Sequence, residues 1–134
     1  FYTVKLAGKY LIEKESSVVL MSTCAARIGL SSHEAISAAK AGVEGLMRSA
    51  AATYAPKIRF NCVAPGLVRT SLGNSILRSP AAEKASTEMH PLKRLGNPVE
   101  VAELITWLLL PEHNWVTGQV FGIDGGLSTV KNVH

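Results

Sequence analysis

The sequence predicts an α/β fold, a three-layer arrangement of about three parallel strands with flanking helices. Three observations carry this. Short apolar runs, the first of them rich in valine, alternate with longer stretches whose apolar residues recur at helical spacing. The first of these runs, Ser17 to Ser22, is apolar on both faces, as expected of a strand covered by helices on both sides. The intervening stretches are long enough to serve as right-handed crossovers between parallel neighbours. With 134 residues, 47% of them hydrophobic, the chain holds one core and has no room for two ordinary domains.

Phe1, Val4, Leu6, Ala7, Leu11 and Ile12 have helical spacing, so the pattern predicts a helix within residues 1–14, entered inside or at the edge of an element, as in an excised or processed piece. Glu13 to Ser16 is a polar break, and Ser17 to Ser22 (SVVLMS) fits a buried strand. Residues 24–30 are expected to form a loop. Ser31 and Glu34 spell a Ser-x-x-Glu capping box, which predicts a helix start there. Ile36, Ala39, Val43, Leu46, Met47, Ala50 and Tyr54 then mark one apolar helix face within 32–54. The small residues Ala35, Ala38, Ala41, Gly42 and Gly45 leave the rest of that helix open to close approach by another backbone. Pro56 ends the helix. Ile58 to Ala64 reads as the next strand, closed by Pro65-Gly66. Residues 67–96 carry weak helical patterns at Ser71–Leu77 and Ala81–Met89 and read as an excursion over a site. Asn97 and Glu100 form a second cap, with Pro98 at the first helical position. A helix over 98–110 runs into Pro111, and Gly118 to Asp124 is the last strand, stopped by Gly125-Gly126.

Charge excludes several functions. Lys and Arg number 14 and Asp and Glu 10, and no basic run exceeds two residues. That argues against a nucleic-acid arm or a polybasic membrane patch. No stretch of more than eleven residues is free of charge, so no spanning helix is expected. Mean hydropathy is +0.19. Cys24 and Cys62 lack paired metal-ligand spacing and suit reduced thiols in a cytoplasmic protein. His90, His113 and His134 are far apart with no carboxylate at metal spacing, so no metal is expected. Trp107 and Trp115 read as core or interface aromatics.

Four segments in order, Ser37–Val43 (SAAKAGV), Asn61–Thr70 (NCVAPGLVRT), Arg94–Ala102 (RLGNPVEVA) and Thr117–Gly126 (TGQVFGIDGG), resemble the C-terminal half of a short-chain dehydrogenase/reductase. The resemblance implies a partial Rossmann-like domain over residues 1–134, with the present strands as the family's fifth, sixth and seventh and with 67–96 as a substrate-loop-like excursion. It also implies NAD or NADP as cofactor and a small-molecule carbonyl or alcohol as substrate. The family's nucleotide-binding half opens with Gly-x-x-x-Gly-x-Gly before a helix N-terminus that holds the pyrophosphate, and these 134 residues contain no such turn.

The family's catalytic set is an asparagine, a serine and a Tyr-x-x-x-Lys pair, the tyrosine acting as general acid or base and the lysine lowering its pKa while binding the nicotinamide ribose. Carried over residue by residue, the lysine is Lys40, the tyrosine position is Ile36, the serine position is Thr23 and the asparagine position is Lys5. Threonine still offers a hydroxyl; isoleucine has no proton to give. His33 is a candidate replacement acid, since on a helix it stands one turn before Ile36, a rise of about 4.5 Å. Its alternative is a solvent-facing residue of the first turn. The implied cofactor contacts are Lys40, Pro65, Gly66, Val68 and Thr70. For Lys40 the alternative is a solvated lysine, and for Thr70 a turn-stabilising threonine.

Two functions follow. One is a truncated or divergent short-chain dehydrogenase/reductase-like oxidoreductase, inactive as this isolated chain. The other is a non-catalytic pseudoenzyme fragment serving as an oligomerisation or interaction module. Helices 1–14 and 32–54 are the expected homo-oligomer surfaces, as is common in the family.

Overall fold

The computed structural model describes residues 1–131. Three strands, β1 (Ser16–Met21), β2 (Ile58–Pro65) and β3 (Val120–Ile123), form one parallel sheet in the order β1-β2-β3. Ser16 pairs with Ile58 and Met21 with Val63; Cys62 pairs with Val120 and Pro65 with Ile123. The helices are α1 (Tyr2–Tyr10), α2 (Glu34–Tyr54), α3 (Ser71–Ile76), α4 (Pro80–Met89) and α5 (Pro98–Leu109).

Side chains alternate across a strand, so Ile58, Phe60 and Cys62 of the central strand β2 share one face and Arg59, Asn61 and Val63 the other. Ile58, Phe60 and Cys62 meet Val4 and Ala7 of α1 and Met47, Ala50 and Ala51 of α2 in the main core. The opposite face of the sheet is covered by α5, whose Leu108 is fully buried and whose Leu108 carbonyl accepts from the Ser17 hydroxyl at 2.9 Å. These are the three expected layers. Buried Asn61 replaces a missing strand partner: its Nδ2 donates to Val116 O at 3.0 Å and its Oδ1 accepts from Gln119 N at 3.1 Å, lashing the approach to β3 onto β2.

The helix start expected at Ser31 is corrected. Ser32 takes a left-handed backbone, φ 61°, so the chain is still turning there, and α2 begins at Glu34 with His33 as N-cap and no side-chain cap. The Ser31–Glu34 box is spelled but not formed. A second correction concerns the apolar face of α2. Ile36 is 43% exposed and Ala39 is exposed, while Glu44 is buried. The inward stripe starts only where α2 reaches the sheet. The helix α1 ends at Tyr10: Leu11 and Ile12 pack on the core from a turn, closed by Lys14 N donating to Leu11 O at 3.1 Å. β1 starts one residue earlier than expected because Ser16 N already donates to Lys57 O at 3.1 Å. β3 is shorter than 118–124, since Gly118 turns at φ 71° and the Asp124 side chain closes the turn after the strand.

α5 starts as the sequence predicts, with the reciprocal Asn97–Glu100 capping box and Pro98 in its first turn. Residues 67–96 leave and rejoin at one place, where Val68 and Gly96 form a parallel bridge, and carry α3 and α4 between. No helix among the described residues is long and apolar enough to cross a membrane.

Candidate functional site

The C-terminal ends of parallel strands are where an open α/β sheet offers exposed backbone and loop side chains to a ligand. Lys40 and Thr23 stand there. Lys40, on α2, reaches across to the last residue of β1, its Nζ donating to Met21 O at 3.0 Å. An ammonium has three protons, so two remain. Thr23 follows β1 in extended conformation and caps the short 3-10 turn Cys24–Ala26. Its hydroxyl lies 3.5 Å from Pro65 O, at the end of β2.

Val68 and Thr70 stand just beyond β2. Thr70 N donates to Val68 O at 2.8 Å, and the Thr70 hydroxyl oxygen accepts from Gly73 N at 3.0 Å, capping α3. The hydroxyl proton is left over. The turn-stabilising role weighed for Thr70 is therefore present, and it leaves a donor.

Gly66 answers to the protein itself. A Cβ there would lie 2.8 Å from His90 Nε2 and 3.0 Å from Asp124 Cα. His90 is 3% exposed; its Nδ1 is 2.7 Å from Ser86 O and its Nε2 accepts from Leu67 N at 3.3 Å. Asp124 is also buried. Burial opposes its charge, but hydrogen bonds from the Ser128 hydroxyl and from the Ser128 and Gly126 amides outweigh this and hold its carboxyl below the usual range. Gly66, His90, Arg94, Glu100, Asp124 and Gly126 help line a cleft of about 340 Å³ that none of Thr23, Lys40, Val68 or Thr70 reaches.

Ile36 lies one turn before Lys40 on α2 and is exposed. His33 is the N-cap of α2: its carbonyl accepts the first helical bond, from Ser37 N at 2.8 Å, and its Nδ1 lies 2.8 Å from Ser31 O. Lys5 is exposed on α1. Cys24 and Cys62 are free and buried. Burial, then the Glu44 carboxylate, pushes the Cys62 thiol up to about 11; burial, then Asp124, raises Cys24. Among the described residues no three His, Cys, Asp or Glu side chains converge as a metal site would need; His134 lies outside them.

Sequence reasoning missed Glu44, which accepts from the Ser22 hydroxyl at 2.7 Å. It also missed His90 and Asp124 as the packing behind Gly66. A glutamate in a helix reads as solvated, and its partner lies 22 residues earlier.

Of these side chains, Lys40 Nζ and the Thr70 hydroxyl keep protons that their own hydrogen bonds do not use. Nothing among the described residues forms a glycine-rich phosphate cradle at a helix N-terminus.

Residues 1–128 match the family profile described as enoyl-(acyl carrier protein) reductase. A tropinone reductase homologue of Arabidopsis thaliana is 38% identical over 113 residues, 84% of this chain and 43% of that protein. The 3-oxoacyl-[acyl-carrier-protein] reductase FabG of Thermotoga maritima is 38% identical over 129 residues, 95% of this chain and 52% of that protein. Among solved structures, ligand-free aldohexose dehydrogenase of Thermoplasma acidophilum superposes with TM-score 0.88 at 31% identity, covering 99% of this chain and 56% of that one. ElxO with NADP bound gives TM-score 0.87 at 30% identity, covering 94% and 52%. The chain thus spans about half the length of the relatives it matches. By the family match across residues 1–128 and the shared fold, the chain belongs to the short-chain dehydrogenase/reductase family of Rossmann-type oxidoreductases.

Proposed function

We propose that this chain forms the substrate-facing half of an NAD(P)-dependent oxidoreductase site for alcohol or carbonyl groups, and that these 134 residues alone do not transfer hydride. One observation carries the reading. Lys40 stands at the end of β1 with spare protons, while the residue four positions before it, where a proton donor is needed, is Ile36. A nicotinamide cofactor would supply the hydride; Lys40, Val68 and Thr70 are the residues that would hold its ribose and carboxamide. Thr23 offers a hydroxyl whose contact with Pro65 O is long enough to give up to a substrate oxygen.

The isoleucine removes general acid catalysis, typically worth a factor of about 100 to 10,000. The missing phosphate cradle removes the orientation that makes hydride transfer effectively unimolecular. The two defects are separable. Ile36→Tyr with Thr23→Ser and Lys5→Asn leaves the 134-residue chain inactive, and raises turnover in a chain that also carries a complete nucleotide-binding half. The assay is NAD(P)H oxidation with a panel of ketones. Substantial turnover by the unmodified chain overturns the reading, and His33→Ala then tests the His33 imidazole as the replacement acid.

Self-association through α1 and α2 belongs to the same proposal. Phe1, Tyr2, Leu6 and Tyr10 are exposed on or beside α1, and Gly42 and Gly45 of α2 have open space where a Cβ would be. Sedimentation should show dimers or larger species; a stable monomer refutes it.

A further inference from the structure

Thr23 is placed by its neighbours more than by its own bonds. Its hydroxyl is 3.5 Å from Pro65 O and accepts from Ala25 N at 3.4 Å, both at the outer limit of hydrogen bonding. The residues on either side are gripped closely from α2. Lys40 Nζ donates to Met21 O at 3.0 Å, the Ser22 hydroxyl donates to Glu44 Oε1 at 2.7 Å, and the Ser37 hydroxyl donates to Ala25 O at 2.7 Å. Positions 37, 40 and 44 fall on one face of a helix. They form three successive rungs from that face to the 21–25 segment, two before Thr23 and one after it.

Glu44 is the costly rung. It is 7% exposed, and its nearest cations, Arg27 Nε at 4.0 Å and Arg48 Nη1 at 3.9 Å, stand beyond hydrogen-bond reach. Among the described residues the Ser22 hydroxyl is its single short hydrogen bond. Burying a carboxylate this incompletely paired is unfavourable, and a well-packed apolar side chain would serve a purely architectural position at least as well. The return on that cost is geometric. The bond from Ser22 fixes the residue immediately before Thr23.

We propose that Glu44 is a positioning residue: through Ser22, and together with the Lys40 and Ser37 rungs, it locks the backbone on both sides of Thr23 and so sets where the Thr23 hydroxyl points. The inference rests on the reading of Thr23 as the hydroxyl that meets the substrate oxygen, and it goes further by naming what orients that hydroxyl.

The test uses the isotope-labelled 134-residue chain and three-bond couplings to the Thr23 γ-methyl carbon, which report its χ1 rotamer. Native chain should show one rotamer. Glu44→Ala should give averaged couplings at Thr23 and faster amide exchange at Ala25 and Ala26, by roughly tenfold for loss of one such bond. Thr53 and Thr106, whose hydroxyls donate to helix carbonyls Ser49 O and Ala102 O, serve as internal controls and should not change. Glu44→Gln keeps an acceptor for Ser22 and should retain the native Thr23 couplings. If Glu44→Ala does not fold, Ser37→Ala removes one rung without stranding a buried charge and should average Thr23 in the same sense.

A single Thr23 rotamer in folded Glu44→Ala overturns the proposal. So does a single rotamer in Ser37→Ala when Glu44→Ala does not fold, or averaging in Glu44→Gln equal to that in Glu44→Ala. The readout involves no cofactor. The cofactor reading fails separately, if millimolar NADP causes no chemical-shift change at Lys40 or Thr70.

Discussion

Replacing Gly66 by alanine tests whether the glycine serves packing or the approach of a cofactor. The added methyl would sit 2.8 Å from His90 Nε2, 3.0 Å from Asp124 Cα and 3.1 Å from Asp124 Cβ. The Asp124 backbone cannot retreat easily, because Gly66 N donates to Ile123 O at 3.1 Å and Pro65 is registered with Ile123 in the sheet. The strain therefore falls on His90, which is buried and tied at both ring nitrogens. Overpacking of this kind costs about 1–3 kcal/mol, and losing the Leu67 N–H to His90 bond adds about 1 kcal/mol. The expected destabilisation is about 2–4 kcal/mol, read from urea unfolding midpoints at unchanged slope. His90→Ala opens a space where the methyl would go, so the double variant should be more stable than the sum of the two single losses predicts. A Gly66→Ala loss below about 0.5 kcal/mol, or strict additivity with His90→Ala, refutes the packing explanation.

Three further outcomes are expected. Glu100 is held near a pKa of about 2 by hydrogen bonding to Arg94 and to the Asn97 amide, against an ordinary 4.5. Its folded value lies below its unfolded one, so its contribution is complete above about 4.5 and is lost as pH falls towards 2; Glu100→Gln should flatten stability against pH in that window, and superimposable profiles would contradict the assignment. Cys62, fully buried with its thiol pushed up to about 11, should resist alkylation by iodoacetamide at pH 8 until the chain is unfolded, and rapid native labelling would contradict its burial. Calorimetric titration with NAD or NADP should not saturate below millimolar, since on the proposed reading Lys40, Val68 and Thr70 would touch only one end of the cofactor; a micromolar dissociation constant would contradict this.

Two capping boxes show what was and was not legible in the sequence. Asn97 with Glu100 and Ser31 with Glu34 have the same spacing, yet only the first forms. The first is reinforced locally by Pro98 and by the Arg94 fork on Glu100. The second depends on where the loop after β1 meets α2, which the Ser37 bond to Ala25 O helps to fix and which no local pattern records. Strand identity was legible because short apolar runs end in turn residues, Pro65-Gly66 after β2 and Gly125-Gly126 after β3, a property of consecutive residues. Glu44 and His90 were not, since each owes its burial to residues more than twenty positions away. Lys40 and Thr23 were found through resemblance, and their common position at the ends of β1 and β2 became visible only in three dimensions.

The strand order β1-β2-β3 also sets the course of folding. Every strand pair is parallel and joins distant parts of the chain: Ser16 meets Ile58 across about forty residues, and Cys62 meets Val120 across nearly sixty. Such pairings reward the chain only after long loops have closed, which makes the sheet slow to assemble. The 21-residue α2 is the one long local element between β1 and β2. Its docking on β2 shortens the search that brings β1 alongside, so β1, α2 and β2 form the natural nucleus and β3 joins last. Until then β2, the most deeply buried strand of the finished sheet, stands with its β3-facing edge unpaired, and the period before β3 arrives is when newly made chains are most prone to associate wrongly.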